Sequence, residues 1–379
     1  MPIPPRTINK IVVLLLLLIG LPMAGFLLSG KPIGPYLEFP PHTRYVTHAP
    51  FSWLMFTIYA CISLILIGGI LVINFGNRVH HLPVREPTRQ PFPWWGWLAL
   101  IALGLCWTLA WTRFSWFSQW QEHTFTPLWV SFIVVINALT CRRLGSCLLL
   151  DHTGFFLSLF FWSALFWWYF EYLNRFVQNW HYIGIEEFTP AAYVLHSSIA
   201  FSTVLPAVLS LCEYLSSLPQ MTLRQIKRPL HIPCRDSIAW LVILTTSFSL
   251  FGVSIWPDYL FPFLWVSPLL ILVSLQILQH EQTVFSGLAE GHWQSVTIPA
   301  LAALACGFFW EMWNYYSAAK WIYTIPFVQR YELFEMPLVG YTGYLPFGLE
   351  CVVAIDFVSR LRGPGSRCPL PSVSTDRTQ

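Results

Sequence analysis

The chain has 379 residues, of which 55% are hydrophobic and only 10% charged, and its mean hydropathy is +0.56. Soluble domains carry about 25% charged residues, so this composition cannot cover a water-facing surface of that size and excludes an ordinary soluble enzyme. The net charge of +3 is spread over short segments, which leaves no basic stripe for nucleic acid.

A helix needs about 20 mostly apolar residues to cross the hydrocarbon core. Taken in chain order, ten segments qualify: 10–29, 51–75, 94–112, 126–141, 154–171, 190–213, 237–255, 258–279, 295–313 and 337–356. The first could be read as a secretory signal, but its apolar run is long and no small-residue cleavage site follows, so it reads as a retained helix. These runs are too long and continuous for barrel strands, and only helices or closed barrels span lipid. The fold class is therefore all-α, a polytopic transmembrane helical bundle of about ten helices. Cys61, Cys106, Cys212, Cys306 and Cys351 fall inside apolar runs, where cysteine acts as a small hydrophobe.

The basic residues orient the bundle. With ten alternating helices, Lys31, Arg44, Arg113, Arg175, Lys320 and Arg330 fall on one side, and the other fifteen of the 21 Lys and Arg on the opposite side. Positive charge favours the cytoplasmic side. Both termini are expected inside, with the protein in a membrane such as the bacterial inner membrane. The tail after Gly363, rich in Pro, Ser and Arg, is expected to be disordered.

An internal repeat organises most of the chain. Leu128-Trp129-Val130-Ser131 returns as Leu264-Trp265-Val266-Ser267, an offset of 136 residues. Glu171 and Asn174 return as Glu311 and Asn314, an offset of 140. Trp180 and Tyr182 return as Trp321 and Tyr323, offset 141, and Leu205-Pro206 returns as Leu345-Pro346, offset 140. Four matches in one order at nearly constant offset indicate a duplication. Each copy spans four helices, and an even number makes the copies parallel, as in some transporters. The expected organisation is a two-helix leader at 1–92, a first repeat at 93–213, a basic cytoplasmic linker at 214–235, a second repeat at 236–358 and a tail at 359–379.

Ionisable groups at membrane depth are costly and usually functional. Glu171 and Glu311 each end an aromatic-rich helix, with Asn174 and Asn314 on the same face three residues later. An acid beside an amide can donate a proton, bind a cation or join two helices. Each pair is followed on the outer side by a stretch too short and polar to cross, holding Glu186, Glu187 and Pro190 in the first copy and Glu332, Glu335 and Pro337 in the second. These stretches are expected to fold back over the bundle. Glu350 lies within the last apolar run, where the first copy has Ser210. The second copy is the richer in carboxylates and is expected to be the active one. His152, His181 and His196 are scattered without haem or zinc spacing, and no P-loop, GxGxxG, GxSxG or HExxH motif occurs.

The order of acid, Trp-x-Tyr and paired acids beside proline at a helix start resembles the lycopene cyclase domain of the integral-membrane carotenoid cyclases. Glu311, Trp321, Tyr323, Glu332, Glu335 and Pro337 carry the likeness. Here proline follows the acids, the leading acid is Glu rather than Asp, and each copy has four helices. The resemblance implies intramembrane acid catalysis on an isoprenoid, a cyclase or isomerase activity, with no cofactor and no metal. Glu311 and Glu335 would be the acid/base pair, Asn314 would orient one of them, and Glu350 is the other candidate base. Trp313, Tyr315, Trp321 and Tyr323, with Glu171 and Asn174 of the first copy, would line the substrate. Two other classes fit the sequence. One is a proton- or cation-coupled transporter. The other is a non-catalytic assembly subunit whose Trp-rich helices dock a membrane-protein partner or pigments.

Overall fold

A computed structural model describes residues 5–39, 43–75, 90–222, 229–232 and 235–361. The tail beyond Leu361 and parts of the 214–235 linker lie outside the described residues. Nine described helices are long and apolar enough to cross a membrane. They are α1 (Ile8–Leu28), α2 (Trp53–Phe75), α3 (Trp94–Trp111), α4 (Phe125–Leu144), α5 (Thr153–Val177), α6 (Pro190–Ser216), α8 (Pro257–Leu278), α9 (Gln294–Tyr315) and α10 (Leu338–Leu361). The shorter apolar helix α7 (Asp236–Gly252) completes the series. The chain is an all-α polytopic bundle, with every expected segment present.

Local chemistry sets the helix limits. At the start of α6 the Thr189 hydroxyl accepts from Ala192 N and Pro190 takes the first turn, which uses a position where proline's missing N–H is harmless. The polar end of α4, Thr140 to Arg143, stays helical until Gly145, whose φ of 78° stops it. α6 breaks at Ser202–Thr203. There the Ser163 hydroxyl of α5 donates to Phe201 O at 2.6 Å and accepts from Leu205 N at 3.0 Å, which ties both sides of the break. α10 has a related start, a 3₁₀ stretch over Leu338–Gly343 before the α-helix from Tyr344.

The packing repeats between the two halves. Neighbours α3 and α4 pack together, as do α7 and α8, α5 and α6, and α9 and α10. The second helix of each half also reaches the third helix of the other. Trp129 of α4 lies 5.1 Å from Trp310 of α9, and Trp265 of α8 stacks 5.2 Å from Phe170 of α5 (ring centroids). The offsets that relate Trp129 to Trp265 and Phe170 to Trp310 are those of the sequence repeat.

The outer stretches pair with each other. β1 (Trp180–Ile183) and β2 (Lys320–Tyr323) form an antiparallel ribbon with Trp180 opposite Tyr323 and Tyr182 opposite Trp321. The offset of 141 carries Trp180 onto Trp321 and Tyr182 onto Tyr323, so exchanging the strands leaves the register unchanged. The ribbon is thus two-fold symmetric about a point between His181 and Ile322. Two further short strands, β3 (Glu332–Leu333) and β4 (Met336–Pro337), lead into α10.

The leader helices sit at the rim. α1 contains a π-helical turn over Leu16–Gly20 and meets α7, where Gly25 lies against the Phe251 backbone with no room for a Cβ. α2 is almost wholly exposed and is held by a hydrogen bond between Ser63 and Thr342. Segment 43–52 crosses the outer face. Its His48 bonds Asp258 and Gln178 O, and its Ala49 and Ser52 bond Phe327.

Candidate functional site

Each half buries one glutamate at the end of its third helix nearer the β1–β2 ribbon, and neither Glu171 nor Glu311 is exposed at all. Both are bonded by one oxygen. Glu171 Oε1 accepts from Tyr182 OH at 2.6 Å, and from Trp167 Nε1 and Trp180 Nε1 at 3.1 Å. Glu311 Oε1 accepts from Tyr344 OH at 2.6 Å and Tyr323 OH at 2.9 Å. The Oε2 atoms of both residues are buried without a hydrogen-bond partner. Tyr182 and Tyr323 lie on the strands, outside the helices. Burial first, and the neighbouring glutamate second, pushes both phenols well above the ordinary tyrosine value. They keep their protons and remain donors at any ordinary pH.

The asparagines hold this geometry from behind. Asn314 Nδ2 donates to Trp321 O at 2.8 Å and its Oδ1 accepts from Trp321 N at 2.9 Å. Asn174 bonds Trp180 O at 2.8 Å and Asn179 N at 2.9 Å. Each amide pins the start of a strand to the end of a helix, which places the Trp-x-Tyr side chains over the glutamate. Asn314 therefore meets backbone, and neither Glu311 nor Glu335.

One substitution pair distinguishes the two shells. At the offset of 140, Trp167 corresponds to Gly307 and Val204 to Tyr344. In the first half the Trp167 indole supplies a donor. In the second, Gly307 leaves the space that the Tyr344 ring fills, and a Cβ there would meet that ring. The donor is kept while the helix that provides it changes.

The other sequence candidates are dispersed. Glu335 forms an ion pair with Lys320 at 2.5 Å, and Glu332 accepts from Gln329 at 2.7 Å on the exposed surface. Trp313 is buried among Trp129, Trp107, Phe132 and Phe309, at 5.0 to 5.9 Å between centroids. Tyr315 lies outside that core, 4.8 Å from Tyr316, with Lys320 Nζ 5.5 Å from its ring. Glu350 sits deeper, about 9 Å inward of Tyr344 at 1.5 Å per residue, and bonds neither glutamate. Among the described residues no group of three or more His, Cys, Asp or Glu is placed to hold a metal ion. Tyr344, Trp167 and Tyr169 are functional candidates that sequence reasoning missed. The signal was the paired exchange of Trp167 and Val204 for Gly307 and Tyr344.

The rings join the two acids. Phe347 lies 6.0 Å from Trp167, which bonds Glu171, and 6.5 Å from Tyr344, which bonds Glu311. Between the carboxyls the interior is packed with aromatic rings, whose π faces can stabilise a cation. Searches of family models, of curated proteins and of solved structures found no match to this chain.

Proposed function

We propose that this protein is an intramembrane enzyme that performs acid/base chemistry on an isoprenoid or similar lipid, as a cyclase or isomerase, with Glu311 as its acid. The observation that carries the reading is the one-sided bonding of a wholly buried glutamate. Two phenols fix Oε1, and Oε2 is left to act. In the neutral acid, Oε1 is the carbonyl oxygen and Oε2 carries the proton. Transfer of that proton to an alkene carbon breaks O–H and forms C–H, leaving a carbocation on the neighbouring carbon. The faces of Tyr344, Tyr323 and Trp310 suit such a cation. Loss of another C–H proton to the Glu311 carboxylate restores the acid and completes a net isomerisation without a cofactor. Glu335, ion-paired with Lys320, then tunes the outer rim and need not be the base. The isoprenoid class rests on the resemblance to the carotenoid cyclases, and the aromatic interior is compatible with it. The setting is a bacterial inner membrane with both termini cytoplasmic.

The test compares lipid and pigment extracts of cells carrying the wild-type gene, Glu311→Gln, or no gene. The expected result is a lipid change that requires the gene and is lost in Glu311→Gln at equal protein level. Undiminished conversion by Glu311→Gln overturns the assignment.

Glu350 favours a second reading, a proton- or cation-coupled carrier, because both its oxygens are buried without partners deep in the bundle. Reconstituted vesicles with an internal pH dye separate the two. A solute-dependent proton flux abolished by Glu350→Gln is the carrier's signature.

A further inference from the structure

The two halves provide an internal comparison for every buried residue. At the offset of 140, Glu350 corresponds to Ser210 and Tyr169 to Phe309. Ser210 has a partner, since its hydroxyl accepts from Asn137 Nδ2 at 2.8 Å, and Phe309 has no polar side-chain atom. The related place in the other half holds a carboxyl and a phenol instead. Glu350 is 1% exposed, and neither of its oxygens has a hydrogen-bond partner. The Tyr169 hydroxyl is likewise buried and unpartnered. Tyr169 on α5 and Glu350 on α10 stand on helices packed against each other through Phe347, Phe166 and Phe170, and share no hydrogen bond.

The surroundings define a distinct place. α5, α8 and α10 meet at a cluster of four rings, with Phe347 lying 6.0 Å from Phe166, 5.8 Å from Phe170 and 6.2 Å from Trp265. Phe347 stands on α10 between Tyr344, which serves Glu311, and Glu350. The cluster thus lies between the outer acids and Glu350. One turn along α5 from Tyr169, the Tyr172 hydroxyl donates to Ile19 O at 2.6 Å, in the π-helical turn of α1. Such turns often occur beside functional sites.

Duplication alone would place a satisfied serine and a phenylalanine here. Leaving three buried polar atoms unmet is costly, and that cost falls on one of the two related junctions. A guest that donates to one carboxyl oxygen and accepts from the phenol meets two of the three atoms. We propose that Glu350 and Tyr169 form a second interior site, separate from Glu311, that binds an O–H group. The guest is water or the hydroxyl end of a lipid alcohol. Its hydrogen goes to a Glu350 oxygen, and its own oxygen accepts from Tyr169 OH.

The test is infrared spectroscopy of the carboxyl C=O stretch in purified full-length protein, a readout that needs no turnover and is independent of Glu311. Glu350→Gln identifies the band. Glu350→Ser, which carries the first half's own residue, serves if the Gln variant does not accumulate. The expected result is a shift of that band in Tyr169→Phe. If Tyr169→Phe still shifts the band in delipidated protein, water is the guest. A shift only on adding back a long-chain polyprenol identifies a lipid alcohol. A band that Tyr169→Phe leaves unmoved overturns the proposal.

Discussion

At the residue scale, the proposed chemistry of Glu311 depends on small groups that do not themselves bond it. Gly307 is one. It provides the space for Tyr344, whose phenol is the shorter of the two bonds to Glu311. Gly307→Ala should displace that ring and so act like Tyr344→Phe. A hydrogen bond to a carboxyl contributes roughly 1–3 kcal/mol, so both variants should lower turnover about tenfold or more. Full activity in Gly307→Ala beside a defective Tyr344→Phe would show that Tyr344 is held by something else. Asn314 acts through backbone. Asn314→Ala leaves Trp321 N and O without their side-chain partner and should lower stability by about 2 kcal/mol, read as a lower denaturation midpoint in detergent. An unchanged midpoint would remove Asn314 from the scaffold of the site.

At the element scale, the ribbon of β1 and β2 is what brings the two Trp-x-Tyr segments over their glutamates. Opposed Cα atoms in an antiparallel pair are about 4.5–5.5 Å apart, within disulfide range. The double variant His181→Cys with Ile322→Cys should therefore crosslink under mild oxidation. The readout is a mobility change on a non-reducing gel that neither single variant shows. Its absence would rule out the central pairing. This ribbon also marks the limit of what local sequence reveals. The helices were legible because a bilayer demands long apolar runs, and even the short fourth run, 126–141, belongs to a full helix from Phe125 to Leu144. The strands were visible only as segments too polar to cross, since each partner lies some 140 residues away. Likewise, the helical spacing of Glu311 and Asn314 implied a joint task. The structure instead gives the acid to the phenols and the amide to the backbone of Trp321.

At the scale of the whole molecule, the distribution of charge becomes an argument about orientation. Each of the six basic residues assigned to the outer side is engaged by the protein. Lys31 bonds Ser254 O, Arg113 bonds Tyr316 O, and Arg175 bonds Tyr36 O, all helix-end or loop carbonyls. Arg44 pairs with Glu38, Lys320 pairs with Glu335, and the Arg330 guanidinium lies 4.4 Å from the centre of the Phe51 ring. These cations help to close the outer face. At the opposite end, Lys10 and Arg360 converge on Glu281, which links α1, the end of α8 and α10. The positive-inside bias makes that end the expected cytoplasmic side. If the shorter α7 crosses with the nine long helices, the chain returns to the side where it began. A fluorescent protein fused after Arg377 should therefore be bright, and alkaline phosphatase fused after Glu187 should be active, since the one matures in the cytoplasm and the other outside it. The reverse pattern would invert the bundle and place Glu171 and Glu311 at the inner face. A dark fusion at Arg377 with an active one at Glu187 would mean an even number of crossings between those points. The five helices from α6 to α10, and with them the second copy of the site, would then have to be recounted.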